Sequence, residues 1–390
     1  MNLLLVSIDS LRLDAVSRTN SRINTPGFDR LTSDFHFSDR LFSVSSATRP
    51  VHTSLFSGLY PFEHGIMGQA DSAVRSGVPD LFTSFAEAGY ATCGLSEAAS
   101  IFANLPFAPR IAEYAAGLDQ ARRIMSSPEP AFLFLHYWRT HTPYGAADGQ
   151  ALGETAELLR SGRLDLVRER YDRTVESLLE GSVAAVLSAL DLRRWCVLIF
   201  GDHGESWTAE EPYHGITLRN SVLRVPFYIH IPGATTVPWS DSLVSIVDIF
   251  PFAASLCGLV DVDYRGYGRD FRAEGGDRRI LAQIDPLPGR DDLTGTRDRH
   301  LVLEGDGTGP IWALLDNRHK FTHKAATGVS QLEVTLDESP LTLGDADAAG
   351  YLSAYEGMQK GSAYAHLPHA RVDAGDDAVL QERLRALGYL

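Results

Sequence analysis

The chain has 390 residues, 44% of them hydrophobic, enough for one large α/β domain with a smaller appendage. Its formal net charge of −15 argues against a nucleic-acid backbone as partner, because phosphate contacts need a basic face, and reads as solubility. No segment is long and apolar enough for a membrane span, and the opening run Leu3–Val6 is too short for a signal peptide, so no membrane partner and a cytoplasmic location are expected.

That opening run predicts a buried strand over Asn2–Ile8, closed by the acid Asp9. Further strands are expected at Tyr90–Leu95, Ala131–His136, Trp195–Phe200, Val225–His230 and Ile280–Gln283. A long helix is expected from about Asp165 to Ala189, where Leu166, Tyr171, Val175, Leu178 and Leu179 share one stripe. A second helix, about Val247–Cys257, carries Pro251 in its first turn, where a missing N–H costs little. Alternating strands and helices predict a mostly parallel central sheet flanked by helices. Glycines loosen the chain from about Tyr264. Beyond it, His300–Glu304, Ile311–Leu315 and His319–His323 read as short antiparallel strands. Residues 340–375 show no clear periodicity, and residues 377–387 read as an amphipathic helix. The expected division is an α/β core over residues 1–270 and a smaller antiparallel α+β subdomain over residues 271–390.

In open parallel sheets the ligand site lies beyond the carboxyl ends of the strands. Three capable groups fall there. Asp9 follows the first strand, His141 follows the strand ending at His136, and Asp202-His203 follow the strand ending at Phe200. A carboxylate in such a place is costly unless paired or metal-bound, although capping a turn is an equal alternative for Asp9. Asp-His between Gly201 and Gly204 puts a hard oxygen and an imidazole where backbone can approach an ion. Arg12 and Asp14 read as a structural pair, His136 as a structural strand residue, and Glu205 and Ser206 as outer support. Cys93, Cys196 and Cys257 are scattered and read as core residues, without a thiolate metal site.

The stretch Ala47-Thr48-Arg49-Pro50-Val51-His52, with Ser57-Gly58 beyond it, resembles the nucleophile signature of the sulfatase family in the alkaline phosphatase superfamily. That signature is Cys/Ser-x-Pro-Ser-Arg with Thr-Gly further on, so Thr48 stands at the nucleophile and His52 at the arginine. Gly201-Asp202-His203-Gly204-Glu205 resembles the family's Asp-His-Gly-Glu segment, and His141-Thr142-Pro143-Tyr144 its His-x-Pro-Tyr element. His214-Gly215, followed by Arg224-Val225-Pro226, is similar to its Lys/His-Gly segment. Asn24–Leu31, Leu59–Gly65 and Val247–Pro251 resemble further family stretches, so the likeness runs in order from Asn2 to about Asp270.

The resemblance implies an alkaline-phosphatase/sulfatase-like fold and a metal-dependent ester hydrolase. Its implied catalytic residues are Thr48, His141, His214 and His52, with His141 and His214 also contacting substrate. Asp9, Asp202, His203 and the Thr48 oxygen are the implied ligands of one divalent metal ion, Mn²⁺ or Zn²⁺ ahead of Ca²⁺ or Mg²⁺. The family's second acid after Asp9 is Ser10 here, as in the phosphotransferase branch. Sulfatases convert cysteine or serine to formylglycine, which releases sulfate by elimination. No cysteine here lies in that context, and threonine lacks the route. A threonine ester must be released by a second displacement, which is manageable at phosphorus. The expected substrate is therefore a small anionic phosphoester. The alternatives are a sulfate ester cleaved by unmodified Thr48, a soluble phosphotransferase, and a non-catalytic scaffold that binds an anion or partner. Specificity is expected from loops at Arg110–Ala121 and Ala146–Gly162 and from the C-terminal part. Oligomeric state is left open.

Overall fold

The structure, a computed structural model, describes residues 1–71, 73–145, 155, 157–208, 212–234, 242–259, 262–273, 278–285, 309–370, 380 and 382. The expected strand His300–Glu304 lies outside them, as does the expected terminal helix apart from Leu380 and Glu382, and most of the expected loop 146–162.

The strands in chain order are β1 (Asn2–Ile8), β2 (His36–Phe42), β3 (Ala91–Ser96), β4 (Ile111–Glu113), β5 (Ala131–Tyr137) and β6 (Trp195–Gly201). A two-stranded ribbon follows, β7 (Ser206–Trp207) and β8 (Pro212–Tyr213), then β9 (Arg224–His230) and β10 (Val244–Ser245). The large sheet has the order β10-β2-β9-β6-β1-β5-β3-β4. Every pairing in it is parallel except those of β9, which runs antiparallel to both β2 and β6. The middle strands β1, β5 and β6 are buried along their whole length, as strands covered on both faces must be. A second sheet, β11 (Ile280–Ile284), β12 (Ile311–Leu315), β13 (His319–Lys324), β14 (Val329–Val334) and β15 (Pro340–Leu341), is an antiparallel meander in that order. Leu281, Trp312, Leu314 and Phe321 of this meander join the hydrophobic core under the large sheet. The architecture is thus the expected α/β layer arrangement with a smaller antiparallel sheet.

Three local expectations are corrected. Residues 340–375 contain the helix Asp345–Gly361, in which only Tyr351 is buried while Ala348, Leu352, Tyr355 and Met358 pack beside it on the core. It attaches through Tyr351, stacked on Phe321 with ring centroids 4.6 Å apart, and Tyr355, stacked on Trp312 at 4.2 Å. The stretch Arg110–Ala121 is not a loop, for it holds β4 and the start of the helix Tyr114–Ser126. β2 was not expected, because a register shift between Ser38 and Leu41 breaks its alternation against β9. The long helix is present from Leu164 to Ala189, with a wider π-helical segment over Leu178–Val183.

Glu63 stitches the C-terminal part to the core. Its fully buried carboxylate accepts the Tyr60 N–H at 2.9 Å and the Ser362 hydroxyl at 2.9 Å. Burial raises its pKa to about 7, against an ordinary value of 4.5. The folded state therefore keeps this proton to higher pH than the unfolded chain does. The stability it contributes is present below pH 4.5 and is lost as pH rises to about 7, roughly 3 kcal/mol in all. Thermal melts of Glu63→Gln across that window are expected to lack this part of the wild-type decline; parallel curves would refute the assignment.

Candidate active site

Thr48 is the first residue of the helix Thr48–Ser57, whose ten residues are all buried. Gly58 closes it in the left-handed conformation at φ 72°, where a side chain would be strained. The N-terminus, the positive dipole end, brings Thr48 to Asp9 and His203 at the carboxyl ends of β1 and β6, while the Arg49 N–H donates to Gln69 Oε1 at 3.1 Å. Arg49 anchors that end. Its fully buried guanidinium donates to the carbonyls of Ile101 at 2.6 Å and Ala103 at 2.9 Å and to that of Asp71 at 2.8 Å.

The Thr48 hydroxyl donates to Asp9 Oδ2 at 3.1 Å and lies 3.4 Å from His203 Nε2. Asp9, Asp202 and His203 are fully buried, and each offers a ligand atom within 4.8 Å of the others. Asp9 Oδ1 accepts the Ser10 hydroxyl at 2.8 Å. Asp202 Oδ1 accepts the N–H of Ser10 at 3.0 Å and of His203 at 2.6 Å, whereas its Oδ2 has no hydrogen-bond partner among the described residues. Gly204 follows because a Cβ there would stand 2.2 Å from the Ser221 carbonyl. Burial, then the charge of Asp9, pushes the Asp202 carboxyl well above the ordinary carboxylate range. Asp9 suffers the same desolvation, yet the facing His136 and the charges of His141 and His203 hold it below that range. Two buried carboxylates with only histidines as ion-pair partners among the described residues, and an orphaned oxygen between them, suit a divalent cation.

His141 and His214 stand on the same side of the site. Their rings are 4.8 Å apart, and His214 lies 4.5 Å from His203. His141 stacks on Trp138 at 4.0 Å and donates from Nδ1 to the Thr142 carbonyl at 2.6 Å, which leaves Nε2 as its acceptor nitrogen. Burial lowers its pKa to about 3. His214 Nδ1 is 3.0 Å from Glu205 Oε1, and Glu205 Oε2 accepts the Tyr144 hydroxyl at 3.2 Å. Trp207 Nε1 donates to that hydroxyl at 2.8 Å. Burial raises Glu205 to about 7. Arg12 donates to the Glu205 carbonyl and pairs with Asp14, which also takes Arg168 at 2.7 Å, so both are structural.

His52 lies on the helix side of the acids, with Nδ1 3.9 Å from Asp202 Oδ2. A carbonyl only accepts, so its Nδ1 donates to Thr48 O at 2.8 Å, and Nε2 accepts the Ser7 hydroxyl at 3.0 Å. Both nitrogens are spent, and its ring packs among Phe102, Phe134 and His136. These two hydrogen bonds tie the ring to the first helical turn and to β1. His136, expected to be structural, lies instead beside the acids, with Nε2 3.7 Å from Asp9 Oδ2. Its place at the end of β5, level with Ser7 in the register, was the available signal.

A family model described as Sulfatase matches residues 110–259, and one described as Type I phosphodiesterase / nucleotide pyrophosphatase matches residues 3–84. No curated protein matches the chain. Among solved structures it is similar to a 2-O GAG sulfatase, with 13% identity, a TM-score of 0.70, and 96% of this chain and 96% of that one covered. It is similar to the phosphonate monoester hydrolase of Agrobacterium radiobacter, with 17% identity, a TM-score of 0.64, and 92% of this chain and 95% of that one covered. It also resembles a lipoteichoic acid synthase from Listeria monocytogenes, with 15% identity, a TM-score of 0.64, and coverages of 95% and 93%. At these identities the structural likeness is one of fold. Among the described residues no helix is long and apolar enough to cross a membrane.

Proposed function

We propose that this chain, a sulfatase-like member of the alkaline phosphatase superfamily, cleaves phosphoesters with the help of a divalent metal and through a covalent Thr48 intermediate. The substrate is a small phosphodiester, phosphomonoester or phosphonate ester. The observation that carries the reading is a buried threonine at a helix N-terminus, its hydroxyl 3.1 Å from Asp9 Oδ2 and 3.4 Å from His203 Nε2. Threonine has no elimination route for discharging sulfate, whereas a second in-line displacement at phosphorus is accessible. The likeness to a phosphonate monoester hydrolase supports the same choice.

Asp9, Asp202, His203 and Thr48 Oγ1 would hold a Mn²⁺ or Zn²⁺ ion, which supplies Lewis acidity to the Thr48 hydroxyl and to a nonbridging substrate oxygen. The hydroxyl points at Asp9 Oδ2, which orients it, and its proton is lost to water, since the Asp9 carboxylate is held below the ordinary range and does not keep it. Thr48 Oγ1 attacks phosphorus in line, and the bond to the leaving oxygen breaks. The Glu205 carboxylate holds His214 Nδ1, so that Nε2 is presented to the equatorial oxygens and stabilises their growing charge. His141 Nε2 protonates the leaving oxygen, a contribution of roughly 10²–10⁴-fold. Its burial opposes the proton, but the charges of Asp9 and Glu205 favour it, as does that of a bound phosphoryl group. Water then attacks the phosphothreonine, giving its proton to the now neutral His141 Nε2; the bond from phosphorus to Thr48 Oγ1 breaks, and Oγ1 takes up a proton from water to regenerate the hydroxyl.

The test is a panel of aryl phosphate, phosphodiester, phosphonate and sulfate esters with the purified protein, run with and without an acceptor alcohol. The highest kcat/KM is expected on a phosphorus ester. A sulfate ester outranking all of them would transfer the reading to a sulfatase with unmodified Thr48, and faster turnover with the alcohol to a transferase.

A further inference from the structure

The cation site as described leaves one neighbouring group without a task. His136 is fully buried, and its Nε2 has no hydrogen-bond partner among the described residues. Buried ring nitrogens are seldom left so. The ring is held firmly: Nδ1 lies 2.8 Å from Ser96 Oγ, which itself accepts the Ala98 N–H at 2.9 Å. Phe102, Trp138 and His52 wall it edge-on, with ring centroids at 5.3, 6.1 and 4.8 Å. What remains free points at Asp9 Oδ2, 3.7 Å away, and comes within 4.8 Å of Asp202, whose Oδ2 is orphaned too.

We propose that His136 is a further imidazole ligand of the divalent cation held by Asp9, Asp202, His203 and Thr48. The proposal rests on the metal-dependent reading above and adds a second nitrogen to its donor set. Spacing supports it. Bonds of about 2.1 Å place neighbouring ligand atoms about 3.4 Å apart in a tetrahedral site and about 3.0 Å apart in an octahedral one. The observed edges are 3.1 Å from Asp9 to Thr48, 3.4 Å from Thr48 to His203, 3.7 Å from His203 to Asp202 and 3.7 Å from Asp9 to His136. His136 thus closes the set with an edge no longer than one already in it. The Ser96 contact is the kind that fixes a ligating histidine, with an oxygen holding the ring nitrogen that does not bind. His52 is the other imidazole in reach of Asp202, and its two nitrogens are taken by Ser7 and Thr48. Three oxygens and two imidazoles favour Zn²⁺ or Mn²⁺ over Ca²⁺ and Mg²⁺, which prefer oxygen.

The experiment loads the full-length apo protein with Cu²⁺ and counts coordinated imidazoles by pulsed EPR, then titrates Zn²⁺ calorimetrically into wild type and His136→Gln. Two imidazoles are expected in wild type and one in the variant. The Zn²⁺ dissociation constant should rise more than about 100-fold, beyond the 10–100-fold that loss of an outer hydrogen-bond partner costs. One imidazole in wild type, or an unchanged count in His136→Gln, overturns the assignment while leaving the metal-dependent reading intact. Wild type that takes up no ion overturns both. The wild-type count needs no variant, so a misfolded His136→Gln protein does not block the decision.

Discussion

Thr48→Ala protein is expected to turn over the best ester of the panel at least about 10⁴-fold more slowly than wild type, with the fall in kcat rather than in KM. Loss of the hydroxyl removes the only atom of the residue that meets Asp9 and His203. The backbone is expected to tolerate the change, since alanine is a good helix former and the helix begins without a side-chain cap at Ala47. Melting temperature should therefore move by only a few degrees. Thr48→Ser keeps the oxygen and should keep most of the rate. Acid quenching of wild type during turnover of a phosphorus-labelled ester should leave label on Thr48 and none on the alanine variant. An active Thr48→Ala protein would refute the covalent route outright.

Asp202→Asn is expected to move activity and apo stability in opposite directions. Both backbone bonds to Oδ1, from Ser10 and His203, can be kept by an asparagine oxygen. What changes is Oδ2, the orphaned atom that burial and Asp9 disfavour as a charge. Because the folded carboxyl has a raised pKa, wild-type apo protein loses stability as pH rises above the ordinary aspartate range, and asparagine escapes that loss. At pH 8, with chelator present, the variant should melt higher than wild type, by roughly 0.5–2 kcal/mol. Added Mn²⁺ at 100 times its Kd should raise wild type by about 2.7 kcal/mol and the variant by much less. Turnover should fall about 10³-fold or more, the scale on which lost electrostatic stabilisation is felt. An apo variant less stable than wild type would mean that Asp202 is held for structure and not for an ion.

The strands that carry chemistry were legible because they are continuous apolar runs ending in a polar group, as Leu3–Ile8 does at Asp9 and Trp195–Gly201 at Asp202. What those ends bring together was legible for Thr48, Asp9, Asp202, His203, His141 and His214, which the structure gathers at one end of the sheet. The surroundings of two histidines were not legible. His52 sits four residues after Thr48, and that helical spacing brings its ring onto the Thr48 carbonyl. His136 lies inside an apolar run, and only the parallel register of β5 on β1 shows that its side chain emerges beside Ser7, on the face where the acids converge. The helix Asp345–Gly361 escaped because its core-facing residues, Ala348, Tyr351, Leu352, Tyr355 and Met358, are thinly spread among alanine, glycine and polar residues and only Tyr351 is buried.

The burial of the Thr48–Ser57 helix has a practical corollary. Its polar residues are satisfied inside the protein, Thr53 on the Arg49 carbonyl, Ser54 on His64 and Ser57 on the Thr53 carbonyl. No face is left to mutate for free. A library built to alter ester preference would waste its diversity there, because nearly every member would be culled for misfolding before its selectivity could be scored. Variation is better placed on exposed Arg139, which follows Trp138 in the chain and pairs with Glu97 rather than with the groups that hold the reacting oxygen.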